Sequence, residues 1–323
     1  YLGVLHILMA IKKTIRVFEG FAGYGGASFG LKRSGLNYEV VGMSEFDKFA
    51  SQLLAQNFPG IKNWGDITQI DPKELPDFDL FTGGFPCQPF SSAGMQLGFD
   101  DKYGRGTLFF HIIRICKEKR PQYLLLENVK GLTQKKFTET FETMKQSLRD
   151  LGYGELAYAV LNSKDYGIPQ NRERLWMFAR LGGLPENFNI VPPKIKLKHR
   201  FGDFLDSDVP SVLYLSDAQI AHLKVKHNIA SFLVDEPLCF DVYNKKIKRD
   251  AMCITITQPE HNSLRVIEVP KDGKEIVRKM SVDEQFRFMG FKNGELDYSG
   301  HSYSQMSKRA GNGWDVNLVG ILL

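Results

Sequence analysis

Cysteine is scarce and scattered in this chain. Cys87, Cys116, Cys239 and Cys253 lie far apart with no C-x-x-C pair, so neither a zinc site nor a disulfide framework is indicated, no metal is expected, and a reducing cytoplasm is the fitting compartment. No apolar run is long enough to span a bilayer, which sets aside the transmembrane function classes. The apolar start, Tyr1 to Ile11, has no basic residue ahead of it, and Lys12-Lys13 follow it, the reverse of a secretory signal. Because Tyr rather than Met comes first, two readings stand: Met9 is the natural start and residues 1–8 are foreign to it, or the segment is a packed N-terminal helix. There is no internal repeat and no low-complexity tract. Charge is nearly balanced: 42 Lys and Arg against 37 Asp and Glu leave a net charge of +5, a mild basic bias that admits a polyanionic partner without requiring one.

With 323 residues, 43% of them hydrophobic and 24% charged, the chain can bury one large core and a smaller second one. Ile15 to Phe18 reads as a short strand ending in a glycine cluster, Gly20, Gly23, Gly25 and Gly26, before a helix-like Ala27 to Arg33. Strand, glycine turn and helix make a nucleotide-binding layout, although these glycines do not spell G-x-G-x-x-G and a tight structural turn explains them equally well. Glu39 to Ser44 is a second strand with Glu45 at its end, where an acid can accept hydrogen bonds from ribose hydroxyls. A helix from Asp47 to Asn57 leads to Trp64-Gly65-Asp66-Ile67, read as a strand end with another acid. The order βαβαβ puts acids and glycines on one rim of a parallel sheet, although each acid alone is as well explained as a turn residue or helix cap.

Phe78 to Phe81 is the next strand, and it delivers Gly83-Gly84-Phe85-Pro86-Cys87-Gln88-Pro89-Phe90-Ser91. One thiol between two prolines, where a buried strand runs into a loop rich in Gly, Ser and charge, is either a small buried hydrophobe or a nucleophile under a movable cover. Thr107 to Glu118 has helical spacing with one apolar face, and Tyr123 to Leu126 is a wholly apolar strand that ends in Glu127-Asn128-Val129. A carboxylate at such a mouth is either capped by backbone donors or held for acid–base work. A helix over Lys136 to Leu151 crosses back, and strands Ala157 to Leu161 and Arg174 to Phe178 flank the polar cluster Gln170, Asn171, Arg172, Glu173 and Arg174, for which surface ion pairing is the plain alternative. From about Leu181 the α/β alternation stops. Two basic clusters follow, Lys194, Lys196, Lys198, His199 and Arg200, then Lys245, Lys246, Lys248 and Arg249; they are solvated faces or, within one small domain, phosphate contacts. Met280 to Phe291 is helical, and Gly311-Asn312-Gly313 opens a terminal helix.

Together these segments resemble the C5-cytosine DNA methyltransferases of bacteria and phages over essentially the whole chain and in the family's order. The resemblance rests on Phe21-Ala22-Gly23 with Gly25-Gly26, Glu45, Gly65-Asp66-Ile67, Pro86-Cys87-Gln88, Gly106-Thr107-Leu108-Phe109, Glu127-Asn128-Val129, Gln170 with Arg172 and Arg174, and Gly311-Asn312. It implies an α/β fold: a Rossmann-like class I S-adenosylmethionine-dependent methyltransferase domain with a mostly parallel sheet, over residues 1–180 and completed by 280–323, plus a small loop-rich target-recognition domain over 181–279. It also implies S-adenosylmethionine as cofactor, leaving as S-adenosylhomocysteine, with Phe21 near the sulfonium, Gly23 and Gly25 in the turn, Glu45 on the ribose, Phe46 and Leu108 around the adenine, Asp66 on its amino group, the Ile67 backbone on its edge, and Asn312 closing the pocket. A nicotinamide dinucleotide, the rival by layout, does not suit the glycine spacing and has no use for Cys87.

The chemistry so implied explains the residue types. Carbon 5 of cytosine is a poor nucleophile until a thiolate adds at carbon 6, the part assigned to Cys87. Glu127 in its protonated form would donate to N3, Arg174 would bond O2 and hold Glu127, and Arg172 would support both from the same strand. A base in duplex DNA must be flipped out to reach such a site. The loop Gln88 to Arg105 would cover it, with Gln88 or Ser92 filling the vacated stack and Gln88, Ser91, Ser92, Arg105 and Thr255 touching DNA; Thr255-Ile256 stands where the family has a Thr-Leu pair. Partners would be double-stranded DNA and, acting on the same site without stable binding, a restriction endonuclease; a monomer in the bacterial cytoplasm, near the nucleoid, is the default, with no membrane role. Three departures stand out: Gly313-Trp314 after Asn312 with nine residues remaining, Pro89 after Gln88, and the short recognition region. The alternatives are an RNA methyltransferase of the same fold, whose tRNA branch carries a Cys-Phe-Thr signature absent from this recognition region, and a catalytically silent DNA-binding relative, for which the presence of Cys87, Glu127 and both arginines has no explanation.

Overall fold

A computed structural model describes residues 3–10, 13–86, 108–259 and 263–323. Helix α1 (Val4–Met9) buries Val4, Ile7 and Leu8, as the packed-helix reading of the N-terminal segment expects. Strand β1 (Ile15–Gly20) is buried at every position except the half-buried Arg16, the mark of a central strand covered on both faces. Helix α2 (Gly26–Ser34) follows the glycine turn, and strand β2 (Tyr38–Ser44) returns beside β1. Asp47 caps helix α3 (Lys48–Asn57), its carboxylate accepting the amides of Phe49 and Ala50 at 3.0 Å. Strand β3 (Leu80–Gly84), helix α4 (Leu108–Lys119), strand β4 (Tyr123–Val129), helix α5 (Thr138–Asp150) and strands β5 (Ala157–Asn162) and β6 (Glu173–Arg180) complete a six-stranded sheet in the order β2-β1-β3-β4-β6-β5.

The pairings from β2 through β4 are parallel, and β4–β6 is antiparallel. From β1 the chain goes to β2 on one side and then to β3 on the other, so the strand order reverses at β1. The crevice outside the carboxyl ends of β1 and β3 is therefore the position where open α/β sheets bind ligands. Phe18, Phe81, Phe109, Ile112, Leu124, Leu126, Leu148 and Met177 belong to one apolar cluster that fixes the strands beneath it.

Three sequence expectations need correction here. Trp64 to Ile67 is not a strand: only Asn63 bridges to Met43, and Gly65 at φ 73 turns the chain away, so Asp66 sits in a loop. The strand before Cys87 begins at Leu80 rather than Phe78, because the Asp79 carboxylate accepts the Arg16 amide at 3.0 Å and Lys13 at 2.7 Å, and regular pairing with β1 starts after it. Glu127 lies within β4, paired with Trp176, rather than beyond its end.

Contacts divide the chain into two compact units, Tyr1–Leu161 with Glu173–Pro193 and Leu318–Leu323, and Asn162–Arg172 with Lys194–Asn317. The residues 280–317, expected to complete the first domain, group with the second unit in this division. The second unit is more regular than its loop-rich sequence suggests. It holds an antiparallel sheet β10-β9-β7-β8, built from β7 (Leu238–Asp241), β8 (Lys246–Lys248), β9 (Leu264–Lys271) and β10 (Lys274–Arg278). Asp272-Gly273, with φ 51 and 76, makes the two-residue turn between β9 and β10, a hairpin signature present in the sequence. Helix α6 (Asp217–His227) contributes Ile220 to a core with Phe232, Phe240, Ile267 and Val277. The expected helix over Met280 to Phe291 is only α7 (Val282–Arg287), opened by a Ser281–Glu284 capping box. Gly311 and Asn312 end helix α8 (Tyr303–Asn312) rather than opening the terminal helix α9 (Val316–Leu322). Among the described residues no helix is long and apolar enough to cross a membrane.

Arg278, fully buried, holds α7 to the sheet. Its Nη1 and Nη2 each donate to Glu284 at 2.7 Å and its Nε bonds Glu268, while Glu284 also accepts the amides of Asp206 and Ser281 at 2.8 Å. Removing one partner strands the other charge, so Arg278→Met should lower the unfolding free energy by about 3–5 kcal/mol in urea titrations, and Arg278→Met with Glu284→Met should recover part of that loss.

Candidate active site

The site begins at the carboxyl ends of β1, β3 and β4, where Gly20 pairs with Gly83, Gly83 with Leu126 and Gly84 with Glu127. Because β6 runs antiparallel to β4, its amino end lies at the same rim, and Arg174 pairs with Val129. Arg174 Nε stands 3.1 Å from Glu127 Oε1, with both side chains largely buried. Burial pulls the Arg174 guanidinium down from its ordinary value, and the Glu127 carboxylate opposes that shift. Asn128, also buried, donates from Nδ2 to the carbonyl of Phe85 at 3.0 Å and so fixes the chain two residues ahead of Cys87. Cys87 itself, Gln88, Ser91, Ser92, Arg105 and the loop between them lie outside the described residues.

The glycine turn is held by two acids. Phe21, Gly23 and Gly25 all take positive φ, 54, 59 and 86. For a bulky residue such as Phe21 this is a strained conformation that the surroundings must enforce. Gly25 is required twice over, since a Cβ there would also meet the Phe58 ring at 2.3 Å. Glu45 accepts the Gly23 amide at 2.8 Å through Oε2 and the Asp47 amide at 2.8 Å through Oε1, while Asn63 bonds the Glu45 amide and carbonyl at 3.0 Å each. Glu19, inside β1 and buried, accepts the amides of Ala27 and Ser28 at 2.8 and 3.0 Å and the Ser28 hydroxyl at 2.5 Å. Burial outweighs these donors and pushes its carboxyl up to about 7.

Around this turn Phe46 is 78% exposed, an uncovered aromatic next to Glu45, and Phe21 and Leu108 pack partly buried against the main core. Asp66 Oδ1 accepts the Thr68 amide at 2.9 Å in an Asx turn, and Ile67 is buried with its carbonyl held by Arg114 Nη2 at 3.0 Å.

The second unit, described by itself, holds its own polar knot. Arg172 stands one residue ahead of β6, not in the strand as expected, and is 2% exposed. Its Nη1 donates to Ile256 O at 3.0 Å, and its Nη2 to Gly311 O at 3.2 Å and Gly313 O at 2.7 Å. Thr255 Oγ1 donates to Asn171 O at 2.6 Å, and Asn312 is exposed at the end of α8. Of the basic clusters, Lys194 pairs with Asp165, Arg200 with Glu236 and Lys248 with Asp250, so part of that charge is balanced locally.

A family model described as "C-5 cytosine-specific DNA methylase" matches residues 15–323. The chain belongs to that family. It is 37% identical over 315 residues to the type II methyltransferase M.NgoBI of Neisseria gonorrhoeae, covering 95% of this chain and 90% of that protein. It is 36% identical to the type II methyltransferase M.HaeII of Haemophilus aegyptius, covering 95% and 91%. The crystal structure of the S. pombe Dnmt2 methyltransferase superposes with a TM-score of 0.72 at 22% identity over 96% of this chain and 97% of that one, a likeness of fold. The protein is thus a DNA cytosine-5 methyltransferase with the α/β, mostly parallel class I fold.

Membership and fold imply S-adenosylmethionine, and the residues fit it: an acid at the end of β2 for hydroxyls, exposed Phe46 for an aromatic ring, and a turn where nothing lies within 4 Å of a Cβ built at Gly23. Sequence reasoning missed Glu19, Asn63 and Asn128 as supports. A carboxylate directly after the apolar Val17-Phe18 in a buried strand was the available signal for Glu19. With Glu19 near 7 in the folded protein and at the ordinary 4.5 in the unfolded chain, the folded state keeps the proton between those values, so stability falls as pH rises through that window and is level on either side. Glu19→Gln should remove about 2–3 kcal/mol of that slope, read from urea midpoints between roughly pH 5 and 8.

Proposed function

We propose that the protein transfers a methyl group from S-adenosylmethionine to carbon 5 of a cytosine flipped out of a short duplex DNA sequence, through an adduct of Cys87 at carbon 6. The observation that carries this reading is the pairing of Arg174 with Glu127 at 3.1 Å, on the strand that lies in register with the one leading to Cys87. The relatives named as type II methyltransferases support a restriction–modification setting; an endonuclease acting on the same site without stable binding, and a monomeric chain, complete the proposal.

S-adenosylmethionine, when bound, supplies the methyl group as an electrophile. Glu45, already aligned by two amides, would hold the ribose, and Phe46 and Leu108 would flank the adenine, with Asp66 and the Ile67 backbone at its edge, Phe21 near the sulfonium, Gly23 and Gly25 in the turn, and Asn312 as a further proposed contact. Cys87 as thiolate adds to carbon 6, and charge develops on N3. Glu127, which must take up a proton before the step, delivers it there, while Arg174 bonds O2 and fixes the Glu127 side chain. Carbon 5, made nucleophilic by the adduct, would take up the methyl group that the cofactor supplies; loss of the carbon 5 proton to a base and return of the N3 proton to Glu127 then restore the ring and release the thiolate. Gln88, Ser91, Ser92, Arg105 and Thr255 are proposed DNA contacts, and residues 181–279 the recognition region.

Incubation with tritiated S-adenosylmethionine and plasmid DNA, followed by bisulfite sequencing, tests reaction, substrate and target site together; label in tRNA with none in the plasmid would favour the RNA alternative instead. Cys87→Ala should abolish transfer and retain measurable DNA binding, and persistent transfer would sink the adduct. Glu127→Gln should slow the single-turnover rate by about 10²–10⁴-fold with little change in cofactor affinity, the range expected for loss of a proton donor.

A further inference from the structure

Arg172 is 2% exposed, and its Nη1 and Nη2 donate to three main-chain carbonyls, a setting that suits a structural clamp. A guanidinium carries five donors in a rigid plane and keeps its charge at any ordinary pH. Here that fork reaches carbonyls from two chain segments far apart in sequence: Ile256 at 3.0 Å, and Gly311 and Gly313 at 3.2 and 2.7 Å. The second pair lies at the carboxyl end of α8, where the last carbonyls have no partner within the helix and a cation is favoured by the helix dipole. The other segment is fastened by neighbours of Arg172. Gln170, fully buried, accepts the Ile256 amide at 3.0 Å and donates to Phe288 O at 2.6 Å, and Thr255 Oγ1 donates to Asn171 O at 2.6 Å. The two segments also touch directly. A Cβ on Gly311 would lie 2.5 Å from the Thr257 carbonyl carbon and the Gln258 amide, so only glycine permits this approach.

We infer that Arg172 is a positioning residue that clamps the Thr255–Ile256 segment to the Gly311-Asn312-Gly313 turn, so that the proposed DNA-contacting residue Thr255 and the proposed cofactor-contacting residue Asn312 are set by one side chain. The inference rests on the functional reading above, which gives those two residues their ligands. It predicts that loosening the clamp weakens both ligands together. A residue that touches the reacting base would instead lower the saturated rate.

The test uses the full chain with Arg172→Lys and Gln170→Met, each first checked for a cooperative thermal melt. S-adenosylmethionine affinity is measured by calorimetry, affinity for the methylated plasmid's target sequence as a short duplex by fluorescence anisotropy, and the single-turnover rate at saturation of both. Arg172→Lys should weaken each affinity by about tenfold, the scale of one or two lost charge-assisted hydrogen bonds. Gln170→Met, which removes the bonds to the Ile256 amide and Phe288 O and leaves those of Arg172 to Gly311 and Gly313 in place, should weaken the duplex alone. A saturated rate down more than about a hundredfold with both affinities intact would overturn the clamp and place Arg172 at the base. No change in either affinity for either variant also overturns it. If Arg172→Lys does not melt cooperatively, Gln170→Met decides: loss of cofactor affinity in that variant contradicts the clamp, and selective loss of duplex affinity supports it. A wild-type chain that binds neither S-adenosylmethionine nor duplex refutes the functional reading itself, an outcome separate from these.

Discussion

The antiparallel pairing of β6 with β4 is the constraint on which the site depends. The reversal of direction at β6, beside strands that pair in parallel from β2 through β4, runs from Tyr123↔Arg180 at one end to Val129↔Arg174 at the other and brings the start of one strand to the finish of its neighbour. Parallel strands alone would put only carboxyl ends on the rim. The reversal adds an amino end, and with it an arginine, beside a glutamate that the sheet has already carried there. The ion pair is therefore set by backbone register, and neither side chain needs a loop to find the other. Its setting is an apolar one, since Leu124, Leu125 and Leu126 beneath it are all fully buried, and in such surroundings an unpaired charge would be costly.

In the second unit the same rule acts through main-chain carbonyls. Helix ends and irregular segments leave acceptors that must be satisfied once buried. Arg172 and Gln170 meet that need for Ile256, Gly311, Gly313 and Phe288, and Arg278 does so for Lys279 while binding two acids. These buried polar side chains stand where long stretches of regular structure are missing, so the irregular parts of the unit are fixed by directed bonds rather than by ladders.

Much of this was legible in the sequence where periodicity or punctuation was strong. The strands around Val17, Leu125 and Met177 and the helices over 26–34 and 108–119 follow from apolar runs and spacing, and the family follows from short motifs in order. What escaped was set by tertiary partners. The carboxylate of Asp79 delays the start of β3, the left-handed Gly65 ends a strand before it forms, and the antiparallel sheet of the second unit consists of pieces three to eight residues long. Arg172 and Arg174 look equivalent in sequence, two residues apart in one polar cluster. Only the structure separates the one that faces Glu127 from the one that binds carbonyls.

The two acids flanking the glycine turn make a final point about preorganisation. Glu45 holds the turn from outside through the Gly23 amide, and Glu19 holds the first turn of α2 from beneath through Ala27 and Ser28. Between them Phe21 is kept at φ 54, a conformation worth about 1–3 kcal/mol of strain for a residue with a side chain. Strain of that size persists only when neighbouring contacts over-determine it, and here the contacts are carboxylates bonded to amides on both sides. A turn fixed in this way offers its backbone to a ligand without first having to order itself, which lowers the entropy lost on binding. That would account for an acid buried inside β1 at the expense of its own charge.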